Sequence, residues 1–357
     1  MGFLDKIKGF SFGGKSQPLG IEIGSSAVKV VELVDKGGNF ILQDAHVVSI
    51  PRGLVVGGVI KDRETMVSEL EGLWDTLGLK KREVAFALPG NFSMIETFSL
   101  PAEVSEEEIT AEVEKRVATT IPLKKEELTF DFDVYPPEED EGEGKLQVIY
   151  AIARREMVDS YRHILEAAGL SLESVKPTPV CLANVVAANS VFKKGEAVLV
   201  LEIGSDSTNL LVLRDQRILY SRNISVGGGM VTQLIAEKLN VSFSDAEKMK
   251  LKSGEVDKHI LRDAAVALAA KLQGEISVSL GQIEGALGIS LDLQKVLITG
   301  GGAKSIFLED ELASLLGMQV EALIPIKNIA LSTRLDPPSL AVIAPRIAAV
   351  IGLLLKD

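Results

Sequence analysis

The stretch Ile21-Glu22-Ile23-Gly24-Ser25-Ser26-Ala27-Val28-Lys29-Val30-Val31-Glu32-Leu33 is nearly repeated 180 positions later as Leu201-Glu202-Ile203-Gly204-Ser205-Asp206-Ser207-Thr208-Asn209-Leu210-Leu211-Val212-Leu213. Each copy holds an apolar run, a carboxylate, a Gly-Ser turn and a second apolar run, which is the pattern of a β-hairpin. A turn of this kind leaves backbone N–H groups and hydroxyls at its tip, where they can cradle phosphate. Two such tips facing each other across a cleft would grip a polyphosphate from both sides. Glu22 and Glu202 would then be placed to order a divalent cation, directly or through water. A duplicated hairpin that merely fills a core shows the same alternation, so the rest of the chain has to decide.

With 357 residues, 46% of them hydrophobic, the chain can bury the cores of two domains. Its net charge of −12 excludes broad electrostatic attraction to nucleic acid or anionic lipid, and no basic stripe offsets it. Cys181 is the only cysteine, which excludes an intramolecular disulfide and suits a reducing cytoplasm. The most apolar stretch, residues 341–355, is interrupted by Pro345 and Arg346 and reads as a buried helix rather than a membrane span. His46, His163 and His259 fall on separate elements with no metal-ligand spacing.

Further along, a strand over 41–50, a helix over Arg63–Leu77 and a strand over 83–89 complete the first half. A different block follows. It has a strand over Ile95–Leu100, a helix opened by Ser105 with Glu108 three residues on, strands 128–135 and 146–153, and a helix 156–168. This reads as a small inserted α+β subdomain, with 136–144 as an acidic connection. After an alanine-rich helix the hairpin repeats, and two further glycine turns appear at Gly227-Gly228-Gly229 and Gly300-Gly301-Gly302. One glycine turn after a strand says little, but four in this order outline a nucleotide cleft. At the start of the chain, Phe3, Leu4, Ile7 and Phe10 share one helical face and are expected to form a weak membrane-surface foot or a leader without structure.

These residues resemble the actin-like ATPase superfamily and, within it, the PilM family of pilus-assembly proteins, related to the division proteins FtsA. Residues 19–33 look like the first phosphate loop, with Gly24, Ser25, Ser26 and Lys29 as its contacts. Residues 201–213 look like the second, with Gly204, Ser205, Thr208 and Asn209. Gly227 and Gly228 match the turn that opens the second lobe's insertion, Gly300, Gly301, Gly302 and Lys304 the adenosine loop, and Glu247 and Lys250 the pair that flanks the nucleoside. The resemblance implies an α/β actin-like (ribonuclease H-like) fold, with two duplicated lobes around a nucleotide cleft and an α+β insert of FtsA/PilM type. The expected division is a leader 1–17, first-lobe core 18–96, insert 97–176, return helix 177–194, second-lobe core 195–229 and 295–340 around an insertion 230–294, and a closing helix 341–357.

The implied ligands are ATP and Mg. The implied partner is the short cytosolic N-terminal tail of a single-span inner-membrane pilus protein (PilN-like), taken in a groove walled by Ile95–Leu100 and residues 106–120. Other pilus-machine components and self-association are also implied, as are a cytoplasmic site peripheral to the inner membrane and a role in twitching motility. Glu202 stands where the superfamily usually has Asp, and the extra methylene displaces a carboxylate that catalysis would need in place. Slow or absent hydrolysis is therefore expected, and no catalytic residue is assigned. The alternatives are an FtsA- or MreB-like filament protein, and a sugar kinase or active ATPase on the same fold.

Overall fold

The computed structural model describes residues 17–121, 123–136, 145–189, 195–252, 254–287 and 290–355. The leader with Phe3, Leu4, Ile7 and Phe10, and most of the acidic connection, lie outside the described residues. Strands β1 (Leu19–Ile23), β2 (Ala27–Lys36) and β3 (Asn39–Ser49) form the expected meander, followed by a small hairpin of β4 (Val55–Val56) and β5 (Val59–Ile60). Helix α1 (Arg63–Leu77) starts where the Asp62 carboxylate accepts from the Thr65 N–H at 3.1 Å and stops at Gly78, which adopts the left-handed conformation, φ 63°. Strand β6 (Glu83–Leu88) then enters the sheet parallel to β1.

The insert comprises β7 (Ser93–Pro101), α2 (Glu106–Thr120), β8 (Leu128–Tyr135) and β9 (Lys145–Arg154), a three-stranded sheet in the order β7-β9-β8. Helix α2 carries the capping box expected at Ser105 and Glu108 and buries Ile109, Val113 and Val117 against that sheet. The compact core of the insert ends there. Helix α3 (Arg155–Ala167) packs Tyr161, Ile164 and Leu165 into the first lobe, and β10 (Ser171–Pro177) pairs with β6. The sequence reading extends the insert to 176. In the structure the apolar side chains of α3 and β10 join the first-lobe core with α1 and β6, while α3 also touches β9 of the insert.

Helix α4 (Thr178–Asn189) leads into the second half: β11 (Ala197–Ile203), β12 (Thr208–Arg214), β13 (Arg217–Ile224), α5 (Gly229–Leu239), α6 (Phe243–Leu251), α7 (Lys258–Leu287), β14 (Leu293–Thr299), α8 (Leu308–Leu316) and β15 (Val320–Ala322). The sheets run β10-β6-β1-β2-β3 and β15-β14-β11-β12-β13, the same order and the same parallel and antiparallel neighbours. The repeat read in two hairpins is thus a repeat of two five-stranded sheets.

The chain then recrosses. Strand β16 (Ala330–Leu331) adds itself to the edge of β3, and α9 (Pro337–Ile343), a single 3-10 turn (Ala344–Ile347) and α10 (Ala348–Leu354) follow. Helix α10 is buried throughout and lies against α4, β1 and β6, so the apolar stretch 341–355 is core, as its sequence suggests. Its fit on α4 is close: a β-carbon at Gly352 would sit 1.7 Å from the Cys181 carbonyl oxygen, so only glycine is accommodated there. One apolar core, including Val31, Ala85, Val186, Val200, Leu211 and Ile347, joins the two lobes beneath the cleft.

Candidate functional site

Both hairpin tips open into one cleft, lined by residues of both halves of the duplication. Each turn is closed by the same bond, Gly24 N–H to the Ala27 carbonyl at 3.0 Å and Gly204 N–H to the Ser207 carbonyl at 2.8 Å. A β-carbon at Gly204 would stand 2.9 Å from that Ser207 oxygen, so glycine lets the turn close. Among the described residues no hydrogen bond engages the N–H of Ser25, Ser26, Asp206 or Ser207, and all four residues line the cleft.

The cleft floor is built from cross-strand pairs at matching positions of the duplication. Glu22 on β1 faces Lys29 on β2, and Glu202 on β11 faces Asn209 on β12. Lys29 Nζ donates to Glu22 Oε1 and forms an ion pair with it, whereas Asn209 Nδ2 donates to Glu202 Oε2 at 2.7 Å. Burial, reinforced by the nearby Glu22 charge, pushes the Glu202 carboxyl up to about 7, with Lys29 and the Asn209 hydrogen bond acting in the opposite sense. Glu22 Oε2 is buried with no hydrogen-bond partner. A buried carboxylate oxygen without a donor, next to a second carboxylate, fits a divalent cation. No group of three or more His, Cys, Asp or Glu side chains stands ready as a metal cage among the described residues, so such a cation would complete its shell with phosphate oxygens and water.

Gly24, Ser25, Ser26, Lys29, Gly204, Ser205, Asn209 and Gly301 of the candidate nucleotide residues all line the cleft, together with Glu22 and Glu202. Others stand behind it. The Thr208 hydroxyl is buried and donates to the Val226 carbonyl at 2.7 Å. Gly227, Gly228 and Gly300 bring backbone against backbone, with β-carbons there 2.4–2.8 Å from Ser205, Gly302 or Ile203, and a β-carbon at Gly302 would stand 2.5 Å from the Ile203 side chain. Lys250 Nζ reaches Glu247 Oε2 and Thr232 Oγ1, each at 2.7 Å, bracing α6 against α5. Lys304 is exposed and donates outward to the Val342 carbonyl at 2.8 Å.

The sequence reading misses several cleft residues: Gly57, Gly58, Gly90, Asn91, Thr178, Asn223 and Arg346. Asn91 Nδ2 donates to the Gly57 carbonyl at 2.7 Å, and the Tyr161 hydroxyl donates to that of Gly58, which brings the β4–β5 hairpin to the cleft. Gly90 meets the other lobe, where a β-carbon would stand 2.2 Å from Asn209 Oδ1. That oxygen already accepts from Asn223 Nδ2 at 2.9 Å. Two further contacts join the lobes. The Arg52 guanidinium lies 3.5 Å above the Phe243 ring, and Arg217 of β13 stacks 4.9 Å from the insert's Tyr135 while donating to the Pro136 carbonyl at 3.1 Å.

Comparison with known proteins agrees with this geometry. The cell division protein FtsA of Enterococcus hirae is 24% identical over 353 residues, a match spanning 86% of this chain and 78% of FtsA. FtsA of Streptococcus pneumoniae is 23% identical over 292 residues, 74% of this chain and 60% of that protein's length. Among solved structures, a PilM-PilN type IV pilus biogenesis complex superposes with a TM-score of 0.80 at 28% identity, covering 95% of this chain and 98% of the other. MreB5 of Spiroplasma citri bound to ADP shares the fold at a TM-score of 0.51 and 13% identity, over 95% of each chain. The family model described as type IV pilus assembly protein PilM matches residues 20–357. The chain therefore belongs to the family of type IV pilus assembly proteins PilM.

Proposed function

We propose that this chain is an ATP-binding platform at the cytoplasmic face of a type IV pilus machine, holding the N-terminal tail of a PilN-like single-span inner-membrane protein. The observation that carries this reading is the likeness, at a TM-score of 0.80 and over 95% of the chain, to a PilM-PilN complex. Nucleotide binding is supported by the two hairpin tips around a cleft with unengaged N–H groups, and by the ADP named for the more distant MreB5. Glu22 and Glu202 would hold Mg beside the phosphates, where the ion would neutralise phosphate charge. Nucleotide contacts are assigned to the hairpin tips, while Thr208, Gly227, Gly228, Glu247, Lys250, Gly300 and Gly302 support the walls. The nucleotide serves as a ligand that holds the lobes closed, with slow or no hydrolysis.

For the peptide, β7, which ends the insert sheet and also lies against β13, would wall a groove for an extended segment together with α2. Met94 is exposed on that strand, 42% accessible, and offers an apolar contact. The test is fluorescence anisotropy of a labelled peptide carrying the N-terminal cytosolic residues of a PilN-like protein, titrated with the full chain, with and without Mg·ATP. Saturable binding that Met94→Asp weakens at least about tenfold supports the reading. Binding indifferent to that change refutes the groove, and absence of binding refutes the partner.

A further inference from the structure

Among the described residues, Lys29 in the cleft is engaged by Glu22, and Lys250 behind its wall by Glu247. Arg346 also lines the cleft, half-buried, yet it has no hydrogen-bond or ion-pair partner among the described residues. Burial lowers the pKa of its guanidinium, and the more distant Glu247 and Glu22 carboxylates only partly counter this. A desolvated guanidinium without an anion is a cost that folding would ordinarily remove by rotating the side chain into water.

Here the backbone is pinned. The Pro345 carbonyl accepts from the Gly300 N–H at 2.9 Å and from the Thr299 hydroxyl at 3.0 Å, and Ala344 and Ile347 on either side are buried. The aliphatic stem runs beside Gly301, where a β-carbon would stand 3.7 Å from both Cγ and Nε of Arg346. The Gly300–Gly302 turn thus forms a backbone rail along which the guanidinium is carried to the cleft. Its planar fork of donors matches phosphate oxygens.

We infer that Arg346 is an anion clamp for the phosphate chain of the bound nucleotide, supplying the positive charge that Lys29 and Lys250 have already committed to Glu22 and Glu247. The inference rests on the nucleotide-binding reading above and adds to it a residue 142 positions from the nearer hairpin glycine, Gly204, outside both phosphate-loop motifs.

Equilibrium titrations of the full chain with ATP and with adenosine, for the wild type, Arg346→Gln and Arg346→Lys, test it. Arg346→Gln is expected to weaken ATP binding about tenfold to a hundredfold and leave adenosine binding unchanged, with Arg346→Lys in between. Thermal melting of the ligand-free variants controls for folding, and removal of an unpaired charge should leave the midpoint the same or higher. Unchanged ATP affinity in a folded Arg346→Gln overturns the inference while nucleotide binding stands. An equal loss for ATP and adenosine overturns it in favour of stacking on the nucleoside. A wild type that binds neither refutes the nucleotide reading itself, and the clamp falls with it.

Discussion

Replacing Glu202 with glutamine isolates the electrostatics of the cleft floor. The substitution keeps an acceptor for Asn209 Nδ2 and removes a carboxyl raised from 4.5 to about 7 by burial and by the Glu22 charge. A raised acid favours the folded protein while protonated. Its contribution is fully present below the unfolded value of 4.5 and is lost as pH rises through about 7. Within that window the linkage cost grows by on the order of 1 kcal/mol per pH unit, so it is larger at pH 8 than at pH 5.5. Denaturant unfolding of wild type and Glu202→Gln should therefore diverge by about 2 kcal/mol in the variant's favour between those two pH values. A stability difference independent of pH, or a variant that loses ground as pH rises, would refute the assignment of a buried, raised carboxyl at Glu202 on the cleft floor.

Glu22→Ala together with Glu202→Ala should abolish most of the magnesium dependence of ATP binding, measured by titration with and without the ion; unchanged dependence would remove both carboxylates from that role. Gly90→Ala places a methyl group 2.2 Å from Asn209 Oδ1 and should cost about 1–3 kcal/mol in denaturant unfolding. Adding Asn209→Gly should recover part of that loss, and a neutral Gly90→Ala would show that the lobes do not meet there. Arg52→Ala removes the guanidinium stacked on Phe243 and should speed release of a fluorescent ATP analogue about twofold to fivefold in a chase experiment. An unaltered rate would mean that the contact does not restrain opening.

How much of this was legible before the structure depends on the range of each interaction. The hairpins, α1 and α2 with its Ser105–Glu108 box announce themselves because strand alternation, helix periodicity and helix capping act within a few residues. The two hairpins were legible from the repeat, but the place of β10 was not. Its residues Leu172 and Val175 are only partly buried and lack clean alternation, so its parallel pairing with β6 becomes visible only once the two are side by side. The cleft shows the same divide. Gly24 to Lys29 and Gly204 to Asn209 carry their chemistry in consecutive residues. Arg346 reaches the cleft only through bonds from Thr299 and Gly300 to Pro345, 46 and 45 positions away. Lys304 shows the converse. Proximity in sequence to the Gly300–Gly302 turn suggested a ligand contact, whereas its amine is aimed at the Val342 carbonyl outside the cleft.

The strand β16 and helix α10 also set an order of events during synthesis. The edge of β3 is covered by Ala330–Leu331, and β1 receives α10 on its apolar face, with Gly20 lying directly under Val350 and Leu354. Between Ser49 at the end of β3 and Ala330 lie 280 residues, which a ribosome takes roughly 15–60 s to translate at about 5–20 residues per second. Throughout that interval the strands made first keep an open edge and an uncovered face. The first lobe is begun with β1 and completed only with β16 and α10, and the nascent chain needs protection from strand-to-strand association until residues 330–354 emerge.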